Sequence, residues 1–130
     1  MDFWHIFLKG KQDRYLIFQL KDIAENADIM FMNYDWMRDH DELIDRDNYR
    51  AVYMGGIKVQ LGEASDADIL EQLYEVFNRE DRPKDFEGRS MSVSDVVVLK
   101  RLGVIKVYYV DSIGFKQIPT DEFFGEADDE

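Results

Sequence analysis

Apolar and polar residues follow one another along this chain in short blocks, most of which have the length of a β-strand. Two apolar runs, residues 3–8 and 15–20, flank the turn-like sequence KGKQD and predict an opening β-hairpin. Residues 49–53 alternate as a strand does, and the pair Gly55-Gly56 is expected to interrupt that strand with a turn. These blocks predict three strands in the first half of the chain.

One stretch has helical periodicity instead. Ser65 precedes Asp66 and Asp68, which is the pattern of an N-cap followed by acidic residues in the first helical turn. The polar sequence REDRPKD, which contains Pro83, ends the pattern. We therefore expect an amphipathic helix over residues 65–78, with one apolar stripe made of Ile69, Leu70, Leu73, Tyr74 and Phe77.

The last third of the chain predicts a small antiparallel sheet. Residues 96–99 are continuously apolar, and 104–110 form the return strand after a turn at 100–103. A further strand is expected at residues 115–118, after a turn in which the Asp111 side chain caps its own backbone. The sequence PTDE that follows predicts a final helical turn.

The connecting segments are short and polar. Residues 21–28 predict a loop or one helical turn, and Asn33 is a suitable N-cap for a short helix that begins at Tyr34. Beyond that helix, RDHDELIDRD predicts a charged loop. Together the elements predict one α+β domain over residues 1–124, with a mostly antiparallel sheet, one main helix and short helical turns, followed by a flexible acidic tail at 125–130.

Composition limits the function classes. The chain has 130 residues, is 45% hydrophobic and contains no cysteine, which fits a folded domain without disulfides or thiolate chemistry. No apolar run is long enough for a membrane span, and the N-terminal sequence does not have the form of a secretory signal. We therefore expect a cytoplasmic protein that does not bind membranes; no heptad pattern specifies an oligomeric state.

The formal net charge is −12, and the acidic excess is concentrated in two regions. Residues 22–87 contain 18 acidic and seven basic residues, and residues 121–130 contain six acidic residues and no basic one. Because phosphate repels such a chain, direct binding to nucleic acid is not expected, whereas a basic protein surface is a suitable partner. Solubility alone is the alternative explanation of the charge.

Two acid-rich segments form the predicted partner-binding site. If they lie side by side, their carboxylates form a negative face that replaces duplex phosphates, which occur about every 1.7 Å along the axis, and that pairs with arginines. Taken singly, each segment is a solvated surface. The members are Asp35, Asp39, Asp41, Glu42, Asp45 and Asp47 in the first segment, and Glu63, Asp66, Asp68, Glu71 and Glu75 in the second.

Candidate catalytic and metal-binding residues are few. In an extended chain, the run SMSVSD at residues 90–95 places three hydroxyls on one face beside Asp95, as in an anion-binding edge or an activated serine. No Lys or His stands in a fixed relation to these serines, so a turn that satisfies backbone donors is the preferred interpretation. His40 lies among carboxylates without a metal-site spacing, and no phosphate-binding loop is present, so neither metal nor cofactor is expected.

Six phrases occur in order between residues 15 and 119: YLIFQLKD, FMNYDWM, RDNYRAVYMG, LEQLYEVFN, FEGRSMSVSDVVVL and YYVDSIGFKQIP. This order is similar to the YodL-like domain family, which is found on mobile elements of Firmicutes. The run at residues 3–8 and the acidic tail are not part of the family pattern. The resemblance implies no catalytic residues; its context implies a host-directed inhibitor or a transfer-associated accessory protein.

Three hypotheses follow. The leading one is a non-enzymatic inhibitor that covers the basic surface of a host nucleic-acid-binding defence protein, such as a CRISPR nuclease or restriction enzyme, by mimicking DNA. The second is an accessory module that binds a host cytoskeletal or transfer-related protein through apolar and aromatic surface. The least favoured is a small hydrolase that uses Ser94 and Asp95.

Overall fold

A five-stranded antiparallel sheet forms the centre of the computed structural model, which describes residues 7–9, 12–57, 64–79, 82–86 and 88–125. The strand order is β2-β1-β3-β4-β5, so the first strand lies inside the sheet. Every neighbouring pair is antiparallel. The strands are β1 Arg14–Leu20, β2 Tyr49–Gly56, β3 Val96–Arg101, β4 Val104–Val110 and β5 Phe115–Ile118.

Short helices complete an α+β arrangement. They are α1 Tyr34–Asp39, α2 Asp66–Val76 and α3 Thr120–Phe124, with 3-10 turns at Ala24–Asn26 and Arg46–Asn48. Ser65 caps α2 as predicted: its Oγ accepts from Asp68 N at 3.1 Å, and Asp68 Oδ2 accepts from Ser65 N at 3.3 Å. Asn33 Oδ1 accepts from Trp36 N at 2.8 Å, which confirms the predicted cap of α1. Among the described residues, no helix has the length and apolar character needed to cross a bilayer.

The sheet separates two hydrophobic cores. Successive side chains of a strand point to opposite faces, so Leu16 and Phe18 of β1 enter one core and Ile17 enters the other. The first core also contains Met37 of α1 and Phe123 of α3, and we call this face the α1 side. The second core is covered by α2 through Ile69, Leu70 and Leu73, and we call it the α2 side. Each face of the sheet therefore has its own helical cover.

The predicted opening hairpin is wrong where it can be compared. Residues 3–6 lie outside the described residues, and 7–9 are helical. Both edges of β1 are already paired, with β2 and β3, so no neighbouring position is left for a preceding strand. Phe7 is fully buried on the α1 side, and Lys100 Nζ donates to the carbonyls of Phe7 and Leu8 at 2.9 Å each. A short apolar run is compatible with the periodicity of a strand or of a helix, and here the sheet topology determines which of the two forms.

The predicted turn at Gly55-Gly56 is also wrong, because both glycines belong to β2 and lie opposite Tyr15 and Arg14. A Cβ atom on Gly55 would overlap the ring of Tyr15, whereas one on Gly56 would meet open space. Gly55 is therefore needed for the close approach of the Tyr15 ring to the β2 backbone and not for a change of direction.

Candidate functional site

The two acid-rich segments lie on opposite faces of the sheet. The first is carried by α1 and the loop after it, which insert Met37 and Ile44 into the core of the α1 side. The second is carried by α2, which packs through Ile69 and Leu70 on the other face. The condition for one joint negative face is therefore not met. The alternation along the strands builds two separate cores, and each acidic segment covers a different one.

The first segment, residues 35–47, comprises most of α1, the loop after it and the start of the next 3-10 turn, and we call it the acidic loop. Its carboxylate residues Asp35, Asp39, Asp41, Glu42 and Asp47 are exposed. Leu43 lies among them with 63% of its surface exposed, although the next residue, Ile44, is fully buried. The acidic loop thus presents one large apolar side chain surrounded by carboxylates.

A clamp from α3 holds the acidic loop. Arg38 donates to both carboxylate oxygens of Glu122, at 2.7 Å and 3.3 Å, and also to the carbonyl of Glu42 at 2.8 Å. Glu122 Oε2 additionally accepts from Ile44 N at 3.0 Å. The hydrogen bond that Arg38 donates to Glu122 raises the pKa of Arg38 above its ordinary value, against the opposing effect of burial. Both ends of the segment that carries Leu43 are therefore fixed.

Local backbone features further define the acidic loop. Asp41 has a left-handed φ of 56°, a conformation that aspartate tolerates better than most residues. Asp45 Oδ1 accepts from Asp47 N at 2.9 Å and so begins the 3-10 turn. Of the six residues predicted in this segment, Asp45 has an evident structural role.

The carboxylate of Asp66, in the second segment, is used inside the molecule. It accepts from Arg101 at 2.8 Å and from the Tyr108 hydroxyl at 2.6 Å, and Lys106 Nζ lies 3.9 Å away. Burial alone would raise the pKa of Asp66, but these hydrogen bonds and positive charges outweigh it and lower the pKa below its ordinary value. Asp66 therefore links α2 to β3 and β4. It was predicted as a partner-binding residue, and in the structure its carboxylate has this structural role.

The other predicted residues of this segment have different surroundings. Asp68 belongs to the helix cap described above, and Glu75 forms an exposed pair with Arg79 at 3.5 Å. Glu71 is exposed on α2. Glu63 lies outside the described residues. The second segment is therefore a weaker candidate for a shared binding surface than the acidic loop.

The serine-rich run at residues 90–95 forms a turn, as the preferred interpretation expected, and not an extended edge. Ser92 N donates to Asp95 Oδ2 at 2.9 Å, and Ser92 Oγ donates to the Ser90 carbonyl at 3.0 Å. Ser94 has a φ of 84°, and its Oγ accepts from Phe31 N at 3.1 Å. The Ser92 hydroxyl thus satisfies a local backbone group, whereas those of Ser94 and Ser90 accept from the distant Phe31 N and from the Arg82 side chain.

A buried polar network lies behind this turn, and sequence reasoning missed two of its members, Gln19 and Arg89. Gln19 Nε2 donates to the Arg89 carbonyl at 2.8 Å and to Asp95 Oδ2 at 3.0 Å, while its Oε1 accepts from Arg89 N at 3.0 Å. The Arg89 guanidinium lies 3.7 Å from Asp95 Oδ1. A polar residue inside the apolar sequence YLIFQL was the available signal for Gln19.

Asp95 has the most perturbed carboxylate described here. Burial raises its pKa to about 7, although the Ser92 and Gln19 hydrogen bonds and the Arg89 charge act in the opposite direction. A perturbed pKa also occurs at functional sites, but the side chain of Asp95 is fully buried and so is that of Ser94. The arrangement supports a structural role in fixing residues 89–95 against β1.

The two remaining candidates, His40 and Asp111, are also held by local contacts. The His40 ring stacks on Trp36 at a centroid distance of 3.9 Å, and among the described residues no group of three potential ligands could hold a metal ion. Asp111 Oδ1 accepts from Ser112 N at 2.8 Å, which confirms the predicted turn. It also accepts from Tyr34 N at 3.1 Å and thereby ties the β4–β5 turn to α1.

Comparison with known proteins gives one finding. A family model described as the YodL-like domain matches residues 14–123, the stretch from the start of β1 into α3. No curated protein and no solved structure matches the chain. The match contains the whole sheet, the acidic loop and the buried polar network.

Proposed function

The chain belongs to the YodL-like domain family, and from that premise we propose that it is a non-enzymatic module whose acidic loop binds the basic surface of a partner protein. The partner we favour is a host nucleic-acid-binding defence protein of the CRISPR nuclease or restriction enzyme type. Such proteins carry basic channels for phosphate backbones, and spaced carboxylates compete for the same cations. Occupation of the channel would inhibit the enzyme without any chemistry by this chain.

The observation that carries the proposal is Leu43, exposed between carboxylates on a loop that Arg38 and Glu122 hold in place. An exposed apolar side chain surrounded by charges matches the anatomy of an interface, in which a central anchor supplies affinity and a polar rim supplies orientation. A loop that is already fixed loses less conformational entropy on binding. These features support the acidic loop as a binding surface over the alternative of a solvated one.

The charge of the molecule supports the same partner chemistry. The acidic loop belongs to a chain of net charge −12, so approach to a basic surface is favoured over long distances. Association through such a surface is expected to be fast and to slow steeply as salt rises, since salt screens exposed charges.

A second candidate function, an accessory module that binds a cytoskeletal or transfer-related protein, is favoured by a different surface. Leu102 and Val104 at the β3–β4 turn are 80% and 55% exposed, and they line a cleft with Arg101 and Lys106. Binding through the apolar side chains of Leu102 and Val104 would depend little on salt. The hydrolase hypothesis has no comparable support, because its nucleophile and acid, Ser94 and Asp95, are both fully buried.

Capture from a bacterial host lysate, at low and at high salt, tests the proposal. The bait is the full chain, and the loop variant combines Asp39→Asn with Glu42→Gln. The control combines Glu75→Gln with Asp85→Asn, which removes the same charge from exposed residues on or next to elements of the α2 side. We expect wild type and control to capture a nucleic-acid-binding enzyme at low salt, and the loop variant to lose it. Equal capture by all three baits would overturn the proposal.

A further inference from the structure

A groove of about 250 Å³ lies between α2 and the β4–β5 turn, and its Phe115 packs against the core of the α2 side. Its walls include Tyr74 of α2 and Phe115 of β5, whose rings meet edge to face at a centroid distance of 6.4 Å. Val93, from the turn that precedes β3, adds an apolar contact. Tyr74 is 43% exposed, although it belongs to the apolar stripe that predicted α2. The groove is therefore partly aromatic and open to solvent.

The charged groups of the groove have one sign. Glu71 and Asp111 line it, and no basic side chain does so among the described residues. The nearest basic residue in sequence, Lys116, places its Nζ 5.3 Å from the Tyr34 ring centroid, on the α1 side. Both hydrogen bonds accepted by Asp111 use Oδ1. In the described part of the chain, Asp111 Oδ2 and the Glu71 carboxylate accept no hydrogen bond, so both can serve a ligand.

We propose that this groove receives an arginine side chain of the protein partner, an inference that rests on the proposed function in taking a protein as the ligand. The aliphatic stem of an arginine packs on apolar surface while its charged end stays with polar groups. Its guanidinium stacks on aromatic rings and pairs with carboxylates through a fixed fork of donors. Tyr74 and Phe115 supply the rings, and Glu71 and Asp111 supply the carboxylates.

The surroundings of the groove fit an interface. Ile113, in the turn whose neighbours line the groove, is 91% exposed, the largest exposure of any described large apolar residue. An exposed apolar side chain beside an acidic aromatic groove forms a mixed patch of the kind found at protein interfaces, where arginine is enriched among the residues that dominate affinity. The groove thus adds a second contact region, beside α2.

The test is an NMR titration of the full chain with blocked arginine, Nα-acetyl-arginine methylamide. We expect millimolar affinity, with amide shift changes concentrated at residues 111–115 and in α2. Blocked citrulline has nearly the same shape without the charge and should not produce these changes. Glu71→Gln should weaken the affinity about tenfold, because a charge-assisted hydrogen bond is lost, whereas the control Glu75→Gln, one turn further along α2, should leave it unchanged within about twofold.

Three outcomes would overturn the inference: no shift changes with blocked arginine, equal changes with blocked citrulline, or changes spread equally over the acidic loop, which would indicate unspecific ion binding. Tyr74→Ala provides an independent check, since loss of a ring should also weaken binding. The loop variant of the capture experiment should bind blocked arginine normally. Failure of the acidic loop as a binding surface and failure of the groove as an arginine site can therefore be told apart.

Discussion

At the scale of single residues, the buried Asp95 pairs with the partly exposed Arg89 through incomplete hydrogen bonding. Within the described part of the chain, Asp95 Oδ1 and the Arg89 atoms Nε and Nη2 are buried without a hydrogen-bond partner, although the two side chains lie 3.7 Å apart. Buried charges without full compensation are costly. In return, the polar contacts of Arg89 and Asp95 with Gln19 hold residues 89–95 in one position against β1. Apolar packing of the turn alone would not specify that position.

The raised pKa of Asp95 predicts a pH dependence of stability. In the folded state the Asp95 carboxyl has a pKa of about 7, whereas the ordinary pKa of an aspartate is 3.8. The protonated Asp95 therefore adds a few kcal/mol to the free energy of unfolding. This contribution is fully present below the ordinary pKa and is lost as the pH rises through 7. Asp66, whose pKa is lowered, acts in the opposite sense and only below its ordinary value of 3.8.

Urea unfolding of wild type and Asp95→Asn, across a series of pH values, measures this effect. We expect the free energy of unfolding of wild type to fall between pH 4 and pH 7, and the variant to show a clearly smaller fall. Because asparagine does not titrate, the difference between the two proteins isolates Asp95. Parallel curves over this range would show that Asp95 keeps an ordinary pKa in the folded state.

Adjacent glycines in β2 give a second test at this scale. Gly55→Ala places a methyl group against the Tyr15 ring, so the ring must move, and we expect a loss of about 1–3 kcal/mol in the free energy of unfolding. Gly56→Ala enters open space and should change stability by less than about 0.5 kcal/mol. Chemical unfolding of both variants compares them directly; equal effects would contradict the close approach of Tyr15 to β2.

At the scale of elements, the short helix α3 is important because its Glu122 anchors the acidic loop. The helix has only five residues, but Glu122 accepts hydrogen bonds from Arg38 and from Ile44 N and so connects both ends of the Leu43 segment. Without this residue the segment would keep the buried side chain of Ile44 and lose its polar anchor. The shape of the acidic loop therefore depends on a helix that is about 80 residues distant in sequence.

Glu122→Ala tests this dependence. We expect a loss of about 1–3 kcal/mol in the free energy of unfolding, since Arg38 and the Ile44 amide lose their partner, and faster hydrogen exchange at the Ile44 amide. Asp121→Ala, which removes a neighbouring exposed carboxylate, should leave that exchange rate unchanged. Unaltered exchange at Ile44 in the Glu122 variant would mean that the clamp does not order the acidic loop.

The elements also show where sequence patterns are sufficient. The strands β4 and β5 and the helix caps at Ser65 and Asn33 follow from local signals, and the structure confirms them. Residues 7 and 8 carry the same apolar signal as a strand but are helical, because β1 already has two neighbours. Local periodicity identifies an element only where the topology leaves room for it.

At the scale of the whole molecule, the sheet decides which acidic residues can act together. The sequence places the two acid-rich segments close together, within residues 35–75, but α1 and α2 cover opposite faces. The buried network joins Gln19 to residues 70 and 76 positions away. Neither arrangement has a local signal, because both depend on strand order. The sequence therefore indicates which residues carry the exposed carboxylates, but it does not indicate that these residues are divided between two surfaces.

We propose that the molecule has two contact regions of different chemistry. The acidic loop offers carboxylates around Leu43, and the groove beside α2 offers carboxylates beside aromatic rings. The two regions are connected through Asp111, which lines the groove and accepts from Tyr34 N, next to Asp35 of the acidic loop.

The most direct test is the rate of association with the captured partner, measured by surface plasmon resonance over a range of salt concentrations. For wild type and for the Glu75→Gln, Asp85→Asn control, we predict fast association that slows steeply with salt. For the Asp39→Asn, Glu42→Gln variant, we predict association about tenfold slower at low salt, with a shallower salt dependence. If the loop variant associates as fast as the control at every salt concentration, the acidic loop is not the binding surface.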